Sequence, residues 1–373
     1  MTPPTVRQSP TATDTAAGDI VLSAQHVSVD YDGDRVTHAV RDVSLDLRRG
    51  EVLGIAGESA CGKSTLAYAI TNLLRPPARL VTGSSINYWP SDGSGPVDLA
   101  TMSTDKLRNF RWKQLAIVFQ SAMNSLNPVT SLDRQFNDVF KAHAPEMDAK
   151  SRRRRAEELL EMVDIEPGRL SSFPHELSGG MRQRAVIAMA LALNPEIVVM
   201  DEPTTALDVV VQREVLDEIE RLREDLGFSV IFITHDLSLL LEIGDRLAIM
   251  YAGEIVELAP TTEIQRSPAH PYTLGLLRSF PDLLGIRRDL RGIPGSPPNL
   301  SEPLVGCAFA PRCAFAFASC ASTAPALRPL SAPADTGRPD LLAPSPGRWV
   351  ACHLHDLAHV ANPPPELAGG SDT

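Results

Sequence analysis

Short apolar runs bounded by turn residues recur along the chain: Glu51–Ala56 (EVLGIA), Ala116–Phe119, Ile197–Met200 and Val230–Thr234. Each has the length of a strand, and none alternates apolar with polar, which predicts strands buried on both faces of a parallel sheet. Ser64–Leu74 (STLAYAITNLL) and Met181–Leu193 predict helices, and Leu132–Leu193 as a whole predicts a helical subdomain. Strand and helix alternate again over Ile197–Ala259, which ends in the hairpin-like AIMYAGEIVELA with Ala252-Gly253 at the turn. Ile20–Val81 predicts an antiparallel strand layer leading into the first core strand. Gly83–Thr104, rich in Ser, Gly, Asp and Pro, predicts an exposed loop. The class is therefore α/β. From Pro260 onward prolines multiply and the rhythm fades, so residues 260–357 form an extension to a first domain at 20–259. Residues 1–19 and 358–373 predict disordered ends.

Composition narrows the classes. At 373 residues and 43% hydrophobic the chain can bury a substantial core, with length for two domains. A net charge of −11 argues against a general nucleic-acid binder, so no nucleic-acid partner is expected. The one dense basic run, Arg152–Arg155, predicts a solvated helix face. The longest strongly apolar stretch, Ala185–Leu193, falls far short of the ~20 residues of a spanning helix. Residues 1–19 lack the apolar core and basic start of a signal peptide.

Chemistry collects at the ends of the predicted strands. After Glu51–Ala56 comes GESACGKST, residues Gly57, Glu58, Ser59, Ala60, Cys61, Gly62, Lys63, Ser64 and Thr65. Glycines bracketing a strand–helix turn let backbone N–H groups face phosphate oxygens. Lys63 would reach the β- and γ-phosphates and Ser64 would offer a hydroxyl to Mg²⁺. Ile197–Met200 delivers Asp201 and Glu202, one suited to Mg²⁺ and the other to a general base. Ser178, Gly179 and Gly180 precede a second helix whose N-terminus also favours an anion. Gln120 and His235 follow two further strands, and Tyr31 follows Val27–Val29.

Together these segments resemble the ATP-binding subunit of an ABC transporter. The resemblance implies a P-loop NTPase cassette with a RecA-like core, an antiparallel β subdomain and a helical subdomain at about 132–193. It implies ATP and Mg²⁺ as ligands, with Ser64, Gln120 and Asp201 toward the metal. Glu202 and His235 would act in hydrolysis with Gln120 and Lys63, Tyr31 would stack on adenine, and Asp208 would mark the D-loop. Each ATP would lie between one subunit's Gly57–Thr65 and its partner's Ser178–Gly180. SAMNSLNP at Ser121–Pro128, FPHELSGGMRQRAVIAMALALNP at Phe173–Pro195, and RRDLRGIPGSPPNL followed by GCAFAPRC and VACH resemble the oligopeptide/dipeptide permease ATPases. This implies peptide import at the cytoplasmic face of the membrane. The expected partners are a paralogous ATPase subunit, two integral-membrane permease subunits and an extracellular solute-binding protein. Import of an oligosaccharide or nickel is the alternative within the class. Soluble ABC ATPases of translation or DNA repair carry two cassettes or a coiled-coil insert, and neither appears here.

Of five cysteines, Cys61 lies in the phosphate loop and Cys307, Cys313, Cys320 and Cys352 lie in the extension. Their spacing leaves zinc, iron–sulfur and free thiols open, since no CxxC pair is present. The family resemblance implies a [4Fe–4S] cluster, with Zn²⁺ as alternative and His353 and His355 as alternative ligands. Distance in sequence from every ATP motif marks the site as structural.

Overall fold

The computed structural model describes residues 20–120, 125–205, 207–279, 292–330 and 347–356. Both predicted disordered ends, much of the segment at Ser121–Pro128, and residues 280–291 of the extension lie outside them.

Two long strands open the chain, β1 (Ile20–Tyr31) and β2 (Thr37–Arg48), followed by β3 (Val52–Ala56) and helix α1 (Lys63–Ile70). Next come β4 (Ala78–Leu80), β5 (Ser85–Tyr88), β6 (Val97–Asp98), α2 (Thr104–Phe110) and β7 (Leu115–Val118). Helices α3 (Leu132–His143), α4 (Ala149–Met162) and α5 (Gly179–Ala190) make the predicted helical region. The α/β rhythm resumes with β8 (Ile197–Asp201), α6 (Val209–Leu226), β9 (Ser229–Ile233), α7 (Leu237–Ile243), β10 (Arg246–Tyr251) and β11 (Glu254–Pro260). The extension adds α8 (Thr261–Arg266), α9 (Pro271–Ser279), α10 (Ala318–Ser322), β12 (Arg328–Pro329) and β13 (Trp349–Val350).

The main sheet has the order β12-β13-β11-β10-β3-β9-β8-β7, parallel from β10 to β7. Its central strands β3, β8 and β9 are buried along their whole length, as their unbroken apolar runs require. Alternate residues serve two cores. Val198, Met200, Val230 and Phe232 face the helices α3 to α6. Ile197, Val199, Ile231 and Ile233 face α1 and the second sheet, in which β1 pairs with β2, β4 and β5. Ala252 and Gly253 both take positive φ, 51° and 83°, giving the tight turn between β10 and β11.

One expectation needs correction. Gly83–Thr104 is not simply an exposed loop. Ser85–Tyr88 pairs with β1 and with Val97–Asp98, and Ile86, Tyr88 and Leu99 are buried in the second core. The polar composition hid a short SINY alternation. The extension expected at residues 260–357 is packed onto the first domain. Strand β13 pairs with β11, and Tyr272, Leu276 and Phe309 join the helical-side core. Of the run Arg152–Arg155 on α4, Arg153 and Arg154 are exposed and paired to Glu157 and Glu158 one turn on, while Arg152 and Arg155 are half-buried, Arg155 donating to the Ala192 carbonyl and Asn194 Oδ1.

Candidate functional site

Strands β3, β7, β8 and β9 run parallel, so their C-terminal ends share one sheet edge. Register aligns Ile55 with Ile233 and Ile233 with Asp201. That edge and the loops leaving it carry Gly57–Thr65, Gln120, Asp201, Glu202 and His235, which is where open α/β sheets place ligands.

The phosphate loop leaves β3 through Gly57. A Cβ there would stand 2.2 Å from the Met250 carbonyl oxygen. Gly62, at φ 106°, caps α1, and a Cβ there would stand 2.3 Å from the Ala39 carbonyl oxygen. Only glycine lets the loop lie this close to its neighbours. Cys61 is 4% exposed beneath the loop, and burial pushes its thiol up, so it serves as a small apolar filler. Lys63 Nζ donates to the carbonyls of Gly57 (2.8 Å) and Glu58 (2.9 Å) and is 6% exposed. A third, weaker contact runs to Cys61 Sγ at 3.9 Å, and a buried ammonium with no carboxylate hydrogen-bonded to it, at a helix start, makes a strong anion site.

Asp201 is fully buried. Its Oδ1 accepts the Ser64 hydroxyl at 3.0 Å, while its Oδ2 has no hydrogen-bond partner among the described residues. Burial pushes its carboxyl above the ordinary range; the Ser64 bond opposes this, the Glu202 charge adds to it and Lys63 opposes it. A half-satisfied buried carboxylate beside a serine hydroxyl is the hard-oxygen donor set that Mg²⁺ takes. The residues therefore fit that ion.

Glu202 sits at φ 47°, an uncommon conformation for a glutamate, with its N–H donated to the Ile233 carbonyl at 2.8 Å. Its Oε2 accepts from Gln120 Nε2 (3.1 Å) and from the Thr205 hydroxyl (2.9 Å). Its Oε1 lies 3.1 Å from His235 Nδ1, which donates if the carboxylate is ionised. Three segments far apart in sequence thus converge on one carboxylate. Thr205, which sequence reasoning passed over inside TTALD, belongs to this group. Tyr31 ends β1 beside the loop, its hydroxyl 3.1 Å from Thr65 Oγ1.

Ser178, Gly179 and Gly180 stand apart. Ser178 caps α5 by accepting the Met181 N–H, and Gly180 packs where a Cβ would meet Val211 Cγ1 at 2.6 Å. Among the described residues no hydrogen bond joins them to Lys63, Asp201, Glu202 or His235. Asp208 caps α6 by accepting from Val210 and Val211, beside the exposed side chains of Val209 and Val210.

The four distal cysteines line one small cavity, with His270 and His353 at its wall. Cys307 N–H donates to the Cys320 carbonyl at 2.8 Å. Burial pushes Cys313 up to about 11 and Cys352 up to about 12, and the neighbouring thiols add to both shifts. Among the described residues no three His, Cys, Asp or Glu side chains are placed to hold a single metal ion. The histidines expected as alternative ligands are engaged elsewhere. His353 contacts Asp356 and the Thr323 carbonyl through its two nitrogens, and His355 Nε2 contacts the Ala269 carbonyl. Far in sequence from the nucleotide motifs, the cysteine region nevertheless touches one of them in the fold. Arg312, next to Cys313, pairs with Glu58 of the phosphate loop at 2.6 Å. No local signal could have shown this, since the partners are 254 residues apart.

Residues 40–205 match the ABC transporter family, and residues 256–320 match the C-terminal region of oligopeptide/dipeptide transporters. A protein of Sinorhizobium fredii named for peptide ABC transport and ATP binding is 42% identical over 313 residues, 83% of this chain and 91% of that one. A Brucella abortus protein named for peptide import and ATP binding is 43% identical over 310 residues, 82% of this chain and 90% of that one. Among solved structures, a dimeric bacterial ABC transporter cassette is 29% identical with a TM-score of 0.56, covering 64% of this chain and 98% of that one. A dimeric ATP-binding cassette in a post-hydrolysis state with ADP and Pi is 28% identical with a TM-score of 0.55, covering 64% and 98% respectively.

Proposed function

The chain belongs to the ATP-binding subunits of ABC transporters, ATPases coupled to transport, and on that premise we propose that its cargo is peptide and its direction import. The observation that carries the chemistry is the shared sheet edge holding Lys63, the unpartnered Oδ2 of Asp201, and Glu202 fixed by Gln120 and His235. Lys63 exchanges its two carbonyl partners for the β- and γ-phosphate oxygens. Ser64 and Asp201 would hold Mg²⁺, which when bound would supply charge neutralisation for the phosphates. Glu202 takes the proton of the attacking water, while Gln120 and His235 keep its carboxylate aimed at the γ-phosphate.

Ser178–Gly180 serves the partner's nucleotide, and a paralogous ATPase subunit is the proposed partner. Its exposed start, beside Val209 and Val210, suits a surface covered in a dimer. No helix among the described residues is long and apolar enough to cross a membrane. The proposed attachment is at the cytoplasmic face through two permease subunits, with an extracellular binding protein delivering the peptide, as the relatives named for peptide transport and import suggest.

At the extension, Cys307, Cys313, Cys320 and Cys352 would hold a [4Fe–4S] cluster. What supports the reading is that the four thiols line one cavity, with Zn²⁺ as the alternative occupant. The group would cross-link the extension.

Two measurements test this reading. Specific ATPase activity of the isolated chain should fall on dilution and recover when the partner subunit is added; a flat profile into the monomeric range would mean that the site is complete in one chain. In the assembled transporter, ATP turnover and uptake should rise with a peptide-loaded binding protein. Uptake of another solute with none of peptide would replace the cargo.

A further inference from the structure

The contact between the extension and the phosphate loop has no part in the chemistry above, yet it is the most completely built polar contact in the extension. Arg312 is 4% exposed at its side chain. Its two terminal nitrogens grip both oxygens of Glu58, at 2.6 and 2.8 Å. Its Nε donates to the Pro294 carbonyl at 2.8 Å, and the guanidinium lies 5.7 Å above the Tyr251 ring and 5.9 Å above that of Phe309. Every face of the group is used, which is what a buried guanidinium needs.

Glu58 is also held at its backbone. Its N–H donates to the Tyr272 hydroxyl at 2.8 Å, and its carbonyl is one of the two that hold Lys63. Tyr272 packs against Tyr251 and Phe309, at 4.6 and 5.4 Å between ring centres. So the extension fixes the side chain and the amide of one loop residue, and that residue fixes the resting place of the phosphate-binding lysine. Docking alone does not require this. The extension is already attached through β13, through the Thr37–Ser301 hydroxyl contact and through the core. A buried ion pair adds little net stability for attachment, but it fixes geometry.

We propose that Arg312 is a positioning residue of the nucleotide site: it holds Glu58, and through it the phosphate loop and Lys63, so that ATP affinity depends on the seated extension. Arg312 and Phe309 lie between Cys307 and Cys313, so loss of order at the thiol cavity reaches the nucleotide by this route. The inference rests on the ATP-site reading above.

The test uses the full chain and a fluorescent ATP analogue, with KM and kcat measured in the assembled complex. Arg312→Met should weaken nucleotide binding about tenfold, about 1.4 kcal/mol, and raise KM while leaving kcat near wild type. Arg312→Lys should recover only part of the loss, because the two-pronged grip is gone. Glu58→Gln should reproduce the loss, and the double variant should add little to it. If Arg312→Met does not fold, Glu58→Gln and Tyr272→Phe, which removes only the hydroxyl, carry the same test. Nucleotide affinity and KM within twofold of wild type in the folded variants would reduce Arg312 to a docking contact and overturn the proposal. Failure of the wild-type chain itself to bind the analogue would instead sink the ATP-site reading.

Discussion

Replacing Asp201 by asparagine should stabilise the ligand-free protein and abolish its response to MgATP. Asp201 is fully buried, has one oxygen without a partner, and is pushed toward protonation by that burial. An unsatisfied buried polar atom costs ~1–3 kcal/mol, and more when charged. Asparagine keeps an acceptor for the Ser64 hydroxyl and removes the charge, but leaves an amide donor unpaired. The net gain should be about 1 kcal/mol, or ~2–4 °C in melting temperature for a domain of this size. MgATP at about one hundred times its dissociation constant adds ~2.7 kcal/mol to a protein that binds it. Wild type should therefore gain nearly three times what the substitution confers, and the variant almost nothing. The two melting curves should exchange order when MgATP is added. Acid supplies a second check. A carboxyl whose folded pKa is raised binds its proton first in the folded state, so wild-type stability falls as pH rises from about 3.8 through the folded pKa. The advantage of the variant should be full at neutral pH and shrink on acidification. A ligand-free variant that melts below wild type, or an undiminished MgATP shift, would refute this account of Asp201.

Glu202→Gln keeps the shape that Gln120 and Thr205 contact but removes the base, so turnover should fall at least ~100-fold with nucleotide binding retained; turnover near wild type would take Glu202 out of that role. Gly180→Ala should lower turnover in the dimer, because its Cβ meets Val211 Cγ1 at 2.6 Å, and adding Val211→Ala should restore it. If the second change gives no rescue, the glycine acts on the partner's nucleotide rather than by its packing. Anaerobic protein should be brown with about four iron per chain, and Cys313→Ser should lose iron and speed proteolysis after Pro260. One tightly bound zinc and no iron would leave a structural zinc site instead.

The nucleotide edge was legible in the sequence because its chemistry is local. Each candidate follows directly on an apolar run, and a strand buried on both faces has few other readings. Boundaries moved by short-range effects. Asn72 at φ 50° ends the first turn region, so α1 stops at Ile70 rather than running to Leu74. Glu51 turns from the strand to pair with buried Arg246. The strands inside Gly83–Thr104 were hidden because only Ile86, Tyr88 and Leu99 mark their buried side, against a polar background. The placement of the extension was illegible for a different reason. Arg312, Glu58 and Tyr272 each look like ordinary residues in their own segments, and only the fold makes them neighbours.

Packing and hydrogen bonds connect the two halves of the site. Gly180 lies against Val211, whose N–H is held by Asp208, so the start of α5 and the start of α6 are packed as one block. One turn into α6, Gln212 donates to the Thr204 hydroxyl at 3.0 Å, and the adjacent Thr205 hydroxyl donates to Glu202. A displacement at Ser178–Gly180 therefore meets no slack before it reaches the carboxylate that faces the water. Contiguity of this kind does not measure coupling, but it supplies the physical route that coupling needs. On the opposite side of the loop, Arg312 and Tyr272 hold Glu58 and with it Lys63. The γ-phosphate end of the site is thus braced from the helical subdomain and the loop is braced from the extension. Both braces run through segments that carry the family resemblance, Gly180 in Phe173–Pro195 and Arg312 in GCAFAPRC.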